Sequence, residues 1–171
     1  MFSTRAEKRE DVPGICLIHE KAFRATQEAD VINKLRSNCH ELLSLVALHE
    51  DKLVGHILFS PATIEGDHGV LEGMGLAPMA VLPDYQRKGI GSKLVRSGMD
   101  ILEKNFCPFI IVLGHPHYYP RFGFETASKY GIRCQWEGVP EEAFMILWLD
   151  KSKKKGVLGI AKYHEEFNEA M

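Results

Sequence analysis

The segment Val81–Ser92, which reads Val-Leu-Pro-Asp-Tyr-Gln-Arg-Lys-Gly-Ile-Gly-Ser, constrains the fold of this chain more than any other feature. A strand-like apolar run precedes it and a run with helical spacing follows it, so the order is strand, tight loop, helix. Gly89 and Gly91 stand where the loop becomes the helix, and without Cβ atoms they permit positive φ angles and close approach of an anion. The helix start carries the positive end of the helix dipole, and Arg87 and Lys88 add charge beside it. The segment therefore predicts a phosphate-binding loop.

The spacing of the glycines excludes two common phosphate-binding loops. The nucleoside-triphosphatase loop needs four residues between its glycines and then Gly-Lys-Ser/Thr, and the dinucleotide fingerprint needs Gly-x-Gly-x-x-Gly. What is present is Gln-Arg-Lys-Gly-Ile-Gly after Val-Leu-Pro. This resembles the acyl-CoA pyrophosphate loop of the GCN5-related N-acetyltransferase (GNAT) family, with the signature Gln/Arg-x-x-Gly-x-Gly/Ala. The resemblance implies that the pyrophosphate of acetyl-CoA is bound by Gln86, Arg87, Lys88, Gly89, Ile90, Gly91 and Ser92.

A second motif follows the continuous apolar run Phe109–Leu113, a pattern that predicts a central strand buried on both faces. It reads Tyr119-Pro-Arg-Phe-Gly-Phe and resembles the Tyr-x-x-x-Gly-Phe element that many GNAT enzymes carry beside the thioester sulfur. When an amine attacks a thioester, the departing thiolate must be protonated, and a phenol with a pKa of about 10 can donate that proton. The resemblance implies Tyr119 as this general acid, with Tyr118 as the alternative. The longer string from Gly114 to Phe124 is similar to the YhbS-like subgroup of predicted acetyltransferases.

The strand before the loop is irregular, because Gly73, Gly75 and Pro78 interrupt the apolar run that ends at Val81. Proline cannot donate to a strand ladder, so the pattern predicts a bulge or an unpaired edge. The resemblance gives this irregularity a use, since in the family the strand splays from its neighbour and bonds the pantetheine arm. The implied pantetheine-binding residues are Met79, Ala80 and Val81.

The sequence leaves the general base open. One branch of the family carries a glutamate eleven residues before the position of Gln86, and this chain has Gly75 there. Glu72 lies three residues earlier, and His115 or His117 can serve instead, because imidazole titrates near neutrality. A water chain to a distant carboxylate is the remaining alternative. No further ligand cluster accompanies the two histidines, so no metal is predicted.

The other elements follow from hydrophobic periodicity and turn residues. Asp11 is the expected cap of the first helix, and His56 is expected to be a packed or edge residue of its strand rather than a ligand. The predicted strands are Phe2–Arg5, Leu42–His49, Leu53–Pro61, a run from His68 or Val70 to Val81, Phe109–Leu113, Gly131–Trp136 and Ala143–Leu149. The first predicted helix starts within Glu10–Pro13, with Pro13 in its first turn, and runs through Arg24; the others run from Glu28 to Arg36 and from Gly89 to Asn105. Together with the resemblance they predict a single α/β domain over residues 1–171, with a mixed, mostly antiparallel, V-splayed sheet of six or seven strands flanked by helices.

Composition narrows the classes of partner and the expected location. A net charge of −2 over 171 residues gives no electrostatic reason to bind nucleic acid or an anionic membrane. No apolar run is long enough to span a bilayer, and the amino-terminal residues lack the pattern of a signal peptide. Four scattered cysteines without a Cys-x-x-Cys pair predict reduced thiols in the cytoplasm. The C-terminal strands are candidates for pairing in a homodimer.

The resemblance implies an N-acetyltransferase that moves an acetyl or other short acyl group from acetyl-CoA to an amine by direct attack. The acceptor carries no signature in the sequence. A small molecule is the expected class, and an antibiotic, a protein amine and a modified RNA base are the alternatives, of which RNA is the least favoured because the chain has no basic bias. The alternative function is a non-catalytic acyl-CoA-binding or sensing module, which would keep the phosphate loop and lack turnover.

Overall fold

The computed structural model describes residues 1–170. In that range the chain forms three α-helices, namely α1 (Val12–Phe23), α2 (Gln27–Asn38) and α3 (Ile90–Lys104). It also forms nine β-strands: β1 (Phe2–Ala6), β2 (Leu43–His49), β3 (Lys52–Gly66), β4 (Gly69–Val81), β5 (Phe109–Leu113), β6 (Glu125–Thr126), β7 (Ile132–Cys134), β8 (Phe144–Trp148) and β9 (Gly159–Lys162). Short 3-10 helices occur in the connections. None of the helices in this range is both long and apolar enough to cross a membrane.

The chain divides into two compact units. The first comprises Met1–Phe59, Ala77–Asp100 and Glu166–Ala170, and the second comprises Ser60–Leu76 and Ile101–Glu165. Strands β3 and β4 and helix α3 each run from one unit into the other. The single domain over residues 1–171 stays a prediction, and residue 171 lies outside the described residues.

In the first unit, the strand order is β1, β2, β3, β4. Strands β1 and β2 are antiparallel, from Phe2↔His49 to Ala6↔Leu45. The β2–β3 hairpin turns through Glu50 and Asp51, whose φ angles are 50° and 67°. Two left-handed residues give the turn whose twist matches that of the flanking strands, so a two-residue turn joins β2 and β3.

The helices of the first unit bury the apolar positions that the sequence spaces at three and four residues. Ile15 and Ile18 of α1 and Ile32 and Leu35 of α2 are at most 2% exposed. Helix α3 buries its positions in the same way, with Leu94 fully buried. This packing, rather than intrinsic helix propensity, stabilises the helices.

Asp11 occupies the N-cap position of α1, as predicted, but its side chain makes no capping hydrogen bond to that helix. Its carboxylate accepts two hydrogen bonds from the guanidinium of Arg5, at 2.6 and 3.1 Å, and one from the amide of Lys8, at 2.7 Å. The bond from Arg5 is the main reason why the pKa of Asp11 lies below its usual value. The carboxylate therefore bonds Arg5 on β1 rather than the first amides of α1, because the guanidinium is a charged group that donates two hydrogen bonds.

The interior of the first unit contains a chain of three hydrogen-bonded polar side chains. Nε2 of His19 on α1 lies 2.8 Å from Nδ1 of His56 on β3, and Nε2 of His56 lies 2.7 Å from Oγ of Ser44 on β2. Both rings are fully buried. Burial lowers the pKa of His19 to about 4 and that of His56 well below its usual value, and the charge of Arg36 acts in the same direction on both. His56 is thus a packed residue, as predicted, and both rings are neutral at pH 7.

We expect the free energy of unfolding to fall as the pH drops below about 6.5, the pKa of an unfolded histidine. The unfolded chain then binds protons that the buried neutral rings do not accept, and each ring costs roughly 1.4 kcal/mol per pH unit down to its folded pKa. Urea unfolding at several pH values between neutral and mildly acidic tests this. His19→Gln should show a shallower dependence, and the exposed control His40→Gln should keep the original one. Wild-type stability that does not change over this range would contradict the expectation.

In the second unit, β5 lies between β4 and β8. Strands β4 and β5 are parallel from Met74↔Ile110 to Leu76↔Val112, and β5 and β8 are antiparallel from Phe109↔Trp148 to Leu113↔Phe144. Residues Phe109 to Val112 are at most 1% exposed, which confirms the buried central strand. Strand β6 joins β8, β9 joins β3, and β7 joins β9. The mixed, mostly antiparallel architecture is confirmed.

The described residues contain nine strands, and the prediction of six or seven was too low. The two additional strands are β6 and β9. With only two residues, β6 is too short to show a period-two pattern. Strand β9 lies after Leu149, where no strand was predicted, and its partner on β3, from Thr63↔Lys162 to Glu65↔Ile160, is remote in sequence. The V-shaped splay implied by the resemblance stays a prediction.

Candidate active site

The predicted phosphate loop connects β4 to α3 and belongs to the first unit. A 3-10 helix, Pro83–Tyr85, follows the end of β4. The carbonyl of Gly89 accepts the amide of Lys93 at 3.0 Å, so Gly89 stands at the N-cap and Ile90 begins the helix. The amides of Ile90 and Gly91 occupy the first turn, where no carbonyl four residues earlier lies within the helix. The loop thus ends at the positive end of a 15-residue helix.

The backbone of the loop contains two residues in the left-handed region. Gly89 has φ +85° and Arg87 has φ +62°. An added Cβ at Gly89 would have no atom within 4 Å, so this position opens to solvent or ligand rather than to protein. Gly91 lies within the first turn of α3, where helical geometry requires a negative φ. Arg87 was predicted as a charge only, and its left-handed backbone was not foreseen.

The side chains of the loop place cations beside an aromatic ring. The ammonium groups of Lys88 and Lys52 lie 5.7 and 5.4 Å from the ring centroid of Tyr85, and the ring of His49 lies 5.7 Å from it. Arg87 and Lys88 are exposed. The arrangement concentrates positive charge next to the helix start, which suits a polyanionic ligand.

The predicted pantetheine-binding residues form the last part of β4. Ala80 is 5% exposed, whereas Met79 and Val81 are half-buried. Nε2 of Gln86 donates to the carbonyl of Val81 at 3.0 Å. The structure therefore brings the end of β4 and the phosphate loop together through a direct hydrogen bond within the first unit.

Tyr119 belongs to the second unit and begins the 3-10 helix Tyr119–Phe122 that follows β5. Its ring packs edge-on against Tyr118 and Phe124, with centroid distances of 5.1 and 5.6 Å. Gly114 also lies against the ring, since a Cβ added there would be 2.3 Å from a ring carbon of Tyr119. The residue is 7% exposed. The aromatic cluster therefore fixes the orientation of the phenol.

Burial, with a smaller contribution from Tyr118, raises the pKa of Tyr119 above its usual value. The phenol is thus protonated at every pH near neutrality, which a proton donor requires. A higher pKa also makes a weaker acid, but a thiolate formed in similarly dry surroundings would be a stronger base.

The alternative donor, Tyr118, is half-buried and has a different environment. The guanidinium of Arg121 lies 4.4 Å from its ring centroid, and Nε of Arg121 donates to its carbonyl at 2.8 Å. The neighbouring His115 and His117 are exposed. The backbone carbonyl of His115 accepts the amide of Tyr118 at 3.1 Å, a bond that closes the turn before the 3-10 helix.

The position at which one branch of the family carries a glutamate is closed to any side chain. A Cβ added to Gly75 would lie 2.6 Å from the ring of Tyr163. Glu72 is exposed, and an odd separation along a strand directs it to the opposite face from Gly75. Glu72 is therefore a poor replacement for a base at that position. His115, His117 and a water chain stay open.

Two residues of the site region were missed by sequence reasoning. Tyr85 was interpreted only as part of the loop, because no sequence pattern indicates that lysines from separate elements lie near one aromatic ring. Tyr163 lies in the C-terminal tail, 87 positions from Leu76, to whose carbonyl its hydroxyl donates. Among residues 1–170, no group of three or more histidine, cysteine, aspartate or glutamate side chains is arranged to hold a metal ion.

Comparisons with known proteins place this geometry among acetyltransferases. The family profile described as acetyltransferase (GNAT) domain matches residues 3–127. The chain is 36% identical over 165 residues to the uncharacterized N-acetyltransferase YhbS of Escherichia coli strain K12, covering 96% of this chain and 97% of that protein. It is 40% identical over 144 residues to the uncharacterized N-acetyltransferase YjhQ of the same strain, covering 82% and 79%.

Two solved structures of relatives contain CoA or acetyl-CoA. The crystal structure of YhbS from Escherichia coli in complex with CoA superposes with a TM-score of 0.90 at 34% identity, over 98% of this chain and 92% of that chain. A GNAT family acetyltransferase from Brucella melitensis in complex with acetyl-CoA superposes with a TM-score of 0.80 at 31% identity, over 98% and 99%.

Proposed function

Since this chain belongs to the acetyltransferase (GNAT) domain family, we propose that it transfers an acetyl or other short acyl group from acetyl-CoA to an amine. The protein is an N-acetyltransferase enzyme by family. The proposed reaction is direct attack of the neutral amine on the thioester carbonyl, with release of CoA. The observation that carries the proposal is the left-handed Gly89 at the start of α3, in a chain that two relatives with solved CoA and acetyl-CoA complexes match over 98% of its length.

The phosphate loop is proposed to bind the pyrophosphate of acetyl-CoA. Its backbone amides at the start of α3 donate to phosphate oxygens, and Arg87 and Lys88 supply charge. Gln86 orders the loop through its bond to the carbonyl of Val81. Backbone groups of Met79, Ala80 and Val81 are proposed to bond the amides of the pantetheine arm. Together these groups fix the thioester for attack, which is where much of the acceleration arises.

Tyr119 is proposed to protonate the sulfur as the tetrahedral intermediate collapses. The C–S bond breaks, its electron pair stays on sulfur, and the phenol proton moves to that sulfur. The phenolate regains a proton from the solvent or from the ammonium group of the product. The support is the burial of a neutral, oriented phenol at the residue that matches the family motif.

The acceptor is proposed to be a small-molecule amine that reaches the enzyme partly as the neutral base. No carboxylate replaces the glutamate at Gly75, so a water chain or one of the exposed histidines His115 and His117 removes the proton of the attacking amine. The expected cytoplasmic location and the homodimer stay predictions. We also propose that residues 1–171 act as one domain.

Turnover with a panel of amines tests the proposal. Acetyl-CoA is incubated with the protein and each amine, and free CoA and the acetylated amine are quantified by chromatography. A thiol reagent is unsuitable because the described chain has four free cysteines. The proposal predicts equal amounts of CoA and acetylated amine for at least one class of amine. No acetylated product with any amine, in protein that binds acetyl-CoA, would favour the non-catalytic module, for which the missing carboxylate at Gly75 is the supporting observation.

A further inference from the structure

Tyr163 places a buried hydroxyl between two strands of the second unit. Its residue is 6% exposed. The hydroxyl donates to the carbonyl of Leu76 on β4 at 3.0 Å and accepts from the amide of Leu113 on β5 at 3.2 Å. The carbonyl of Ile111 lies 3.5 Å away as a weaker second acceptor. One side-chain oxygen therefore bonds the main chains of both strands.

These bonds lie at the point where the parallel pairing ends. The register of β4 with β5 runs from Met74↔Ile110 to Leu76↔Val112. In a parallel ladder a carbonyl pairs with the amide one residue beyond its register partner, so the carbonyl of Leu76 and the amide of Leu113 are partners in the last step. The hydroxyl of Tyr163 bonds both of these groups. It therefore fixes the separation of the two strands at their last pair.

The ring of Tyr163 is held on several sides. It stacks on Trp136 with a centroid distance of 5.6 Å and an interplanar angle of 20°. Its amide donates to Oε1 of Gln135 at 2.7 Å. On the strand side only a glycine fits, because a Cβ at Gly75 would lie 2.6 Å from two ring carbons. A rigidly held ring positions its hydroxyl more accurately than a mobile one does.

The strand end that Tyr163 holds also supports Tyr119. Leu113 is followed directly by Gly114, whose backbone contacts the ring of Tyr119 so closely that an added Cβ would lie 2.3 Å from it. The two phenols are near enough for Tyr119 to contribute to the raised pKa of Tyr163, after the larger effect of burial. Displacement of the Leu113 amide would therefore move the surface on which Tyr119 rests.

We propose that Tyr163 is a positioning residue for acyl transfer: its hydroxyl clamps the ends of β4 and β5 and thereby sets the position of Tyr119. It touches no reacting atom in this role. The inference rests on the proposed function, because the positioned group is the proposed general acid. It adds a residue outside both sequence motifs to those on which turnover depends.

Tyr163→Phe tests the clamp, because it removes one oxygen and keeps the ring against Gly75 and Trp136. We expect kcat to fall on the order of 10- to 100-fold, as for a misplacement of roughly 1 Å, with KM for acetyl-CoA changed less than about twofold. The amide of Leu113 should exchange with deuterium at least about tenfold faster, as measured by NMR. A kcat within about twofold of the wild type would overturn the inference.

Tyr130→Phe is the matched control. It removes a tyrosine hydroxyl that also makes a hydrogen bond in the second unit, to Oε1 of Glu125 at 2.6 Å. We expect its kcat and its Leu113 exchange to match the wild type. An equal loss of kcat in the two variants would mean a general structural effect and would overturn the positioning role.

A second pair of variants displaces the ring without removing the hydroxyl. Gly75→Ala pushes a Cβ against Tyr163, whereas Gly73→Ala on the same strand pushes one against Phe109, 2.6 Å away. The inference expects the loss of kcat and the faster Leu113 exchange in Gly75→Ala only. Wild-type protein without turnover would instead overturn the proposed function, and the exchange of Leu113 in Tyr163→Phe would still decide whether the clamp exists.

Discussion

Tyr119→Phe is expected to lower turnover on the order of 10²- to 10⁴-fold, the range that a positioned proton donor contributes. This corresponds to roughly 3 to 5 kcal/mol of transition-state stabilisation. The affinity for acetyl-CoA should stay within about threefold, because phenylalanine keeps the packing against Tyr118 and Phe124. Steady-state kinetics with quantified product, and calorimetry for binding, measure the two quantities separately.

Tyr118→Phe is the control for this prediction, since it removes the neighbouring hydroxyl from the same turn. Its kcat should stay within about threefold of the wild type. If Tyr118→Phe lost turnover and Tyr119→Phe did not, the assignment of the acid would be wrong by one residue. Because burial raises the pKa of Tyr119, the wild-type rate should not decline through ionisation of this group below pH 10, the ordinary value being about 10.

Gly89→Glu is expected to weaken acetyl-CoA binding by about 100-fold or more. The new carboxylate would stand at the helix start and repel the phosphate charge of acetyl-CoA. For two unit charges about 5 Å apart at an effective dielectric constant of about 20, the repulsion is roughly 3 kcal/mol, which corresponds to that loss of affinity. The fold should survive, because a Cβ at this position meets no atom within 4 Å, and an acidic residue at a helix start favours the helix. The remaining cost is the strain of a φ near +85° in a residue with a Cβ.

Gly138→Glu is the control for Gly89→Glu, because it introduces the same charge at a glycine with a similar positive φ. Gly138 has φ +77° and also has no atom within 4 Å of an added Cβ, but it lies outside the phosphate loop. We expect this variant to bind acetyl-CoA as the wild type does. Equal affinity in the Gly89→Glu and Gly138→Glu proteins, measured by calorimetry, would exclude the loop as the pyrophosphate site.

The sequence was sufficient for the elements whose pattern is local. Helix α3 was predicted from Gly89 to Asn105 and spans Ile90–Lys104, because its apolar spacing and its glycine start are both contained in the segment. The central strand Phe109–Leu113 was predicted to the residue, since a short run of consecutive apolar side chains suits a strand covered on both faces. The positions of the two motifs, at a helix start and after a strand end, follow from these two elements.

The features that escaped prediction depend on partners that are distant along the chain. Asp11 was expected to cap α1 and instead bonds Arg5 on β1. No strand was predicted after Leu149, yet this part of the chain supplies β9 and Tyr163, whose hydroxyl partners are fixed by the register of β4 with β5. The hydrophobic periodicity within a segment indicates neither of these partners. Arg87 in the left-handed region is a local feature, but arginine carries no residue preference that would signal it.

The central claim is that the loop before α3 binds the pyrophosphate of an acyl-CoA. Calorimetric titration of the wild-type protein with acetyl-CoA, with free CoA and ATP as comparison ligands, tests it most directly. We expect one site per chain with dissociation constants for acetyl-CoA and CoA on the order of micromolar and no measurable binding of ATP. Folded protein that binds neither acetyl-CoA nor CoA would contradict the claim.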